Sequence, residues 1–151
     1  MRQILLGAGA LALVASCFLA ARDAVGEDPA PKPVAAIKDV MLSMNEGEQS
    51  VVGHLRADFG GTLDDDGWKV AKARATMLME AANLLYGMKP PLGADDAAGL
   101  AKWKQHVMDY RGCADAARDA AEKKDAAAGK AAMMSMAKRC KECHADHRKE
   151  E

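Results

Sequence analysis

Aromatic side chains are scarce in this chain: two Trp, two Tyr and two Phe in 151 residues. A core built mainly on large rings is therefore excluded. Ala and Met supply much of the apolar half of the composition; both favour helix, the first as a small residue and the second as an adaptable one. β-Branched residues are sparse after residue 60, which argues against a sheet. Charge of one sign is also lacking. Lys and Arg number 21 against 22 Asp and Glu, a net charge of −1, so there is no basic excess to hold nucleic acid. No internal repeat is present, and no paired carboxylates or nucleophile constellation suggest an enzyme. An Ala-rich core buries little area per residue, and a cofactor bound only by the folded state would offset that deficit.

The N-terminus has the pattern of an export signal over residues 1–21. Arg2 precedes an apolar stretch from Ile4 to Ala20, followed by Arg22 and Asp23. A short basic start, an apolar middle and small residues at the exit fit a secretory signal peptide, and the stretch is slightly short for a membrane span of roughly 20 residues. Val14-Ala15-Ser16-Cys17 resembles a lipobox, which would lipidate Cys17 and anchor the protein to a membrane; Leu19-Ala20-Ala21 would instead precede ordinary cleavage. Either route places the domain outside the cytoplasm, in the periplasm of a bacterium. Residues 22–33 contain Pro29, Pro31 and Pro33 among Gly, Asp and Glu and read as a polar linker.

Residues 34–151 then carry four stretches of helical period. The first runs from about Val34 to Leu55, with Ile37, Met41, Met44, Val51 and Leu55 on its apolar stripe. The second follows Asp64-Asp65-Asp66, an N-cap with negative charge for the helix dipole, and carries Val70, Ala73, Met77, Ala81, Leu84 and Met88 before Gly87 and Pro90-Pro91 stop it. The third follows Asp95-Asp96 and carries Leu100, Trp103, Val107, Tyr110, Ala114, Ala117 and Ala121. The fourth follows Lys123-Lys124-Asp125 and carries Met133, Met136, Cys140, Cys143, His144 and His147. Four amphipathic helices with short polar connections predict an all-α, antiparallel four-helix bundle. The longest connection is expected between the first two.

Cys140-Lys141-Glu142-Cys143-His144 matches the C-x-x-C-H pattern of c-type haem attachment. Each thiol forms a thioether with one haem vinyl group, the two-residue gap matches the separation of the vinyls, and the adjacent imidazole ligates the iron. An export signal accords with this chemistry, because covalent attachment occurs outside the bacterial cytoplasm. Three other readings exist. Zinc or copper would need Cys140, Cys143, His144 and His147 together, but on one helix Cys140 and His147 lie about 10 Å apart along the axis. A thioredoxin-like dithiol belongs in a βαβ context, which this chain lacks. A simple disulfide between Cys140 and Cys143 is the third.

With the motif at the end of the last helix, the chain resembles the class II c-type cytochromes, the cytochrome c prime group. The family usually continues as C-x-x-C-H-x-x-aromatic-Arg; here His147 replaces the aromatic residue and Arg148 matches. The likeness covers about residues 34–149 and rests mostly on the last helix. It implies one covalent haem c on a four-helix bundle, with His144 as proximal ligand and with Trp103 and Tyr110 where the family often has aromatics. In an up-down-up-down bundle the start of the first helix is level with the end of the last, which makes Met41 and Met44 the candidates for the opposite iron face. His54 is about 15 Å further along, His147 shares a helix with His144, and His106 lies on a more polar flank. By the family's register Met41 falls where six-coordinate members place an axial Met, and Met44 where a core Met is common. With Met41 bound the protein is a single-electron carrier for redox partner proteins. Without it the iron is open to nitric oxide or carbon monoxide. A haem-free zinc- or copper-binding helical module is the third functional reading.

Lys38 and Arg148 are candidates to neutralise haem propionates. Cys113 is expected as a small buried residue; unpaired in an oxidising compartment, it is also a thiol through which two copies could form a homodimer.

Overall fold

Three aspartates begin the three long helices among the described residues, as the sequence leads one to expect. Asp64 Oδ1 accepts from Gly67 N at 2.7 Å, Asp96 Oδ1 from Gly99 N at 2.6 Å and Asp125 Oδ1 from Ala128 N at 2.9 Å. Each carboxylate satisfies an amide that the helix leaves without an internal partner. The computed structural model describes residues 35–148, which lie within one unit, Val34–Glu151. The signal segment, the linker and Cys17 lie outside the described residues. Among the described residues there are five helices and no strand: α1 Ile37–Met44, α2 Val51–Gly60, α3 Asp65–Tyr86, α4 Ala97–Glu122 and α5 Ala126–His147. None is long and apolar enough to cross a membrane.

The expected first helix is two. Its apolar spacing continues from Met41 through Leu55, but the backbone leaves the helix at Asn45 and re-enters at Val51. Gly47 has φ +78°, in the left-handed region that glycine enters without steric cost. Ser50 then caps α2: its Oγ donates to the Gly47 carbonyl at 2.7 Å and accepts from Gly53 N at 3.0 Å. A second correction concerns connection length. Only four residues separate α2 from α3, whereas the longest connection among the described residues joins α3 to α4, across Pro90-Pro91. Two prolines cannot continue a helix and prolong the crossing.

α4 packs extensively on both α3 and α5, α2 packs on α3 and α5, and α1 packs on α3 and α2. Leu55 and Phe59 of α2, Leu78 of α3 and Met136 of α5 are fully buried. The α4 stripe is buried at Trp103, Val107, Tyr110, Ala114, Ala117 and Ala121, while Leu100 is only partly covered. The α3 stripe differs from the expectation. Val70, Ala73 and Met77 are exposed, Ala81 is buried and Leu84 and Met88 partly buried as expected, and Ala71, Ala75, Leu78, Ala82 and Leu85 are buried as well. The small face wins because α3 is covered by α4, α2 and α1, and alanine is ordered at no side-chain entropy cost. The α1 and α5 backbones, in contrast, do not approach each other.

Gly129 sits in α5 directly beneath the buried Phe59 ring, and a Cβ there would overlap the ring. Phe59 also packs on Trp68, with ring centroids 6.3 Å apart, and so has little room to retreat. Gly129→Ala is therefore expected to destabilise the fold by about 1–3 kcal/mol, the usual cost of overpacking, despite alanine's better helix propensity. Urea denaturation checks this; unchanged or increased stability would contradict the packing described here.

Candidate functional site

Residues three and four apart share one helix face, so Cys140, Cys143 and His144 form a single strip on the last two turns of α5. That strip lines a concavity of about 630 Å³, counting the space at its open mouth. Met41, Asn45 and Glu46 line it from the end of α1, and Trp103, Val107 and Tyr110 from α4. A second concavity continues below, sharing Met41, Trp103, Cys143 and His144 and adding Ile37, Lys38, His147 and Arg148. Cys140, Cys143, His144, Met41, Trp103 and Arg148 thus each border one or both of two adjoining concavities between α1 and α5. Met44 does not: it lines a separate groove between α1 and α3 with Val40 and Leu84.

Burial sets the protonation of the strip. It pushes the Cys143 thiol up to about 11, reinforced by neighbouring Cys140 and Asp146. Burial also raises Cys140, with Cys113 adding to the effect and Arg56 opposing it. Both thiols therefore stay protonated at neutral pH. His144 is exposed on one side, yet partial burial and the Arg148 charge lower its pKa, with Glu46 opposing. A neutral imidazole is the form that can donate a lone pair to a metal. Burial also holds the Tyr110 phenol protonated, and Cys140 reinforces this.

Beside the strip stands a polar cluster that the sequence disclosed only in part. His147 is 4% exposed and meets Trp103 edge-on at 5.4 Å between centroids, so it fills an aromatic place with an imidazole. Its Nδ1 lies 3.0 Å from the Leu92 carbonyl. A carbonyl only accepts, so Nδ1 carries the proton. His106 also lines the main concavity, from the polar flank expected for it. Its Nε2 is 2.7 Å from Asp146, which Lys102 also contacts at 2.7 Å. Lys102 first and His106 second hold the Asp146 carboxyl below the usual range, so it accepts from His106 Nε2–H. Asn45 and Tyr110 were not expected as a pair. Asn45 follows Met41 by four residues and so shares its face, but 65 residues separate it from Tyr110 and no local pattern joins the two.

Cys113 is half-buried on α4, with its thiol raised by burial. No group of three or more His, Cys, Asp or Glu side chains among the described residues is arranged to hold a metal ion. His147 in particular is committed to Leu92 and Trp103 rather than to the thiols. No protein family, curated protein or solved structure matches this chain.

The raised thiols give a direct test on protein whose cysteines are free. Iodoacetamide reacts with thiolate. A rise from 9.0 to about 11 lowers the thiolate fraction of Cys143 near pH 8 by about a hundredfold relative to the urea-unfolded chain. The neutral thiol is the form the fold favours, so this contribution to stability is intact below 9.0 and is lost as pH rises through 11. The alkylation rates should converge over the same window. Equal rates in folded and unfolded protein near pH 8 would show that Cys143 is not buried as described.

Proposed function

We propose that this protein is an exported mono-haem c-type cytochrome on an antiparallel four-helix bundle, and that it passes single electrons between redox proteins. The observation that carries the reading is the position of the C-x-x-C-H strip on α5: it faces Met41 of α1 across an apolar hollow that the two backbones leave between them. In this reading α1 and α2 together stand for the first helix of the bundle and α3, α4 and α5 for the others. The likeness to class II cytochromes rests on the motif, on Arg148 and on the place of the motif in the last helix.

The donor set suits haem. Haem, when bound, supplies a one-electron Fe(III)/Fe(II) couple whose potential depends on its axial ligands. The Cys140 and Cys143 thiols would hold it covalently, each adding across one vinyl group with sulfur to one carbon and hydrogen to the other. His144, kept neutral by partial burial and Arg148, offers its lone pair from the same strip. Met41 offers a thioether from the facing helix, and thioether ligation favours the reduced iron. Lys38 and Arg148 border the lower concavity, where they can pair with propionate carboxylates. Trp103, anchored by donation from Nε1 to the Leu85 carbonyl at 3.1 Å, and Val107 line the hollow with apolar surface. Because the folded thiols are protonated and half-buried, attachment is easiest on a chain whose last helix has not yet docked. An export signal in residues 1–21 would put this chemistry in the periplasm, with a lipid anchor if Cys17 is modified.

Protein matured in a host that attaches c-type haem is expected to give a low-spin absorption spectrum with a sulfur-to-iron charge-transfer band near the red edge. Met41→Ala should turn the spectrum high-spin and open it to carbon monoxide. A wild-type spectrum that is already high-spin and carbon monoxide-sensitive would favour gas binding on the same fold. If Met41→Ala changes nothing and Met44→Ala does, the distal ligand is wrongly assigned. A missing Soret band refutes the haem reading altogether.

A further inference from the structure

Asn45 is tied to Met41 twice. As the residue that ends α1, it donates its backbone N–H to the Met41 carbonyl at 2.9 Å. Its side-chain Nδ2 donates to the Met41 sulfur at 3.5 Å. The amide is itself held from another helix: the Tyr110 hydroxyl on α4 donates to Asn45 Oδ1 at 2.9 Å. The direction of this chain follows from what each atom can do. A thioether sulfur accepts and cannot donate, so the NH2 edge of the amide must face it. The oxygen edge then faces Tyr110, whose hydroxyl supplies the proton. Flipping the amide would set two acceptors against each other at the sulfur.

We infer that Asn45, locked by Tyr110, is a positioning residue for the Met41 thioether. Its amide engages one of the two sulfur lone pairs and leaves the other for a metal in the adjoining hollow. The inference rests on the proposal that Met41 is the distal ligand. Methionine has three rotatable side-chain bonds, and Met41 is only partly buried, so packing alone does not fix its sulfur. Tyr110 is 8% exposed on the helix that packs most widely, and it lends that rigidity to the end of α1. The chain Tyr110–Asn45–Met41 therefore selects one side of the sulfur for ligation. It also draws electron density from the sulfur, which weakens donation to Fe(III) more than to Fe(II) and raises the reduction potential.

The test uses haem-loaded protein and two readouts, the midpoint potential and the constant for displacement of Met41 by added imidazole. Asn45→Leu removes the amide and keeps the backbone N–H, at a position whose φ of −125° any residue adopts. It should lower the potential and make displacement by imidazole roughly fivefold easier, as loss of an ordinary net hydrogen bond implies. Tyr110→Phe, which keeps the ring, should shift both readouts the same way by less, and should add little in the Asn45→Leu background, because the two act through one chain. Should Asn45→Leu fail to fold, the Tyr110→Phe shift alone decides. Unchanged potential and displacement in protein that keeps its sulfur-to-iron band overturn the inference and leave Met41 ligation standing. A wild-type protein without that band overturns both.

Discussion

The spacing of three residues on α5 and the separation of α5 from α1 are the constraint on which the rest of the structure turns. Cys140, Cys143 and His144 share a face only because the chain is helical there, and they have something to face only because α1 stands off. Had α1 packed directly on α5, as neighbouring bundle helices usually do, Met41 and the thiols would simply be core. The structure instead holds α1 by α3 and α2 and leaves its other side to an apolar hollow. The break at Gly47 contributes to this, since it lets α1 take a direction independent of α2.

That arrangement gives the site two kinds of control. The first is electrostatic. Burial keeps the thiols protonated, and burial with the Arg148 charge favours the neutral His144 imidazole, so the strip presents lone pairs rather than charge. The second is mechanical. Trp103 is pinned to α3 by its bond to Leu85, His147 is pinned to the α3–α4 connection through Leu92, and Tyr110 reaches α1 through Asn45. Each bond joins α4 or α5 to a different element around the hollow. Directional bonds of this kind are worth about 1 kcal/mol each, but their larger effect is to limit where the lining can move.

Much of this was legible in the sequence, and what was not has identifiable causes. The capping aspartates marked the starts of α3, α4 and α5, because a carboxylate before an apolar period has one local use. The α4 stripe was readable from Trp103 to Ala121 because its large residues and its alanines lie on the same face. On α3 they do not: Val70 and Met77 drew the stripe to the wrong side, and the burial of Ala71, Ala75 and Ala82 shows only in the packed structure. The break between α1 and α2 was hidden because Met41, Met44, Val51 and Leu55 keep helical spacing across it, while the turn depends on a positive φ at Gly47. The bond between His106 and Asp146 spans forty residues, and no local pattern announces it.

The central claim is that two sulfurs of α5 carry one haem and that the neighbouring imidazole completes the attachment site. The most direct measurement is the mass of the proteolytic peptide containing Cys140 to Arg148, taken from protein exported by a host able to mature c-type cytochromes. The account predicts a peptide heavier by one haem, with neither thiol open to alkylation. A peptide of unmodified mass, with Cys140 and Cys143 both alkylated after unfolding, would contradict it.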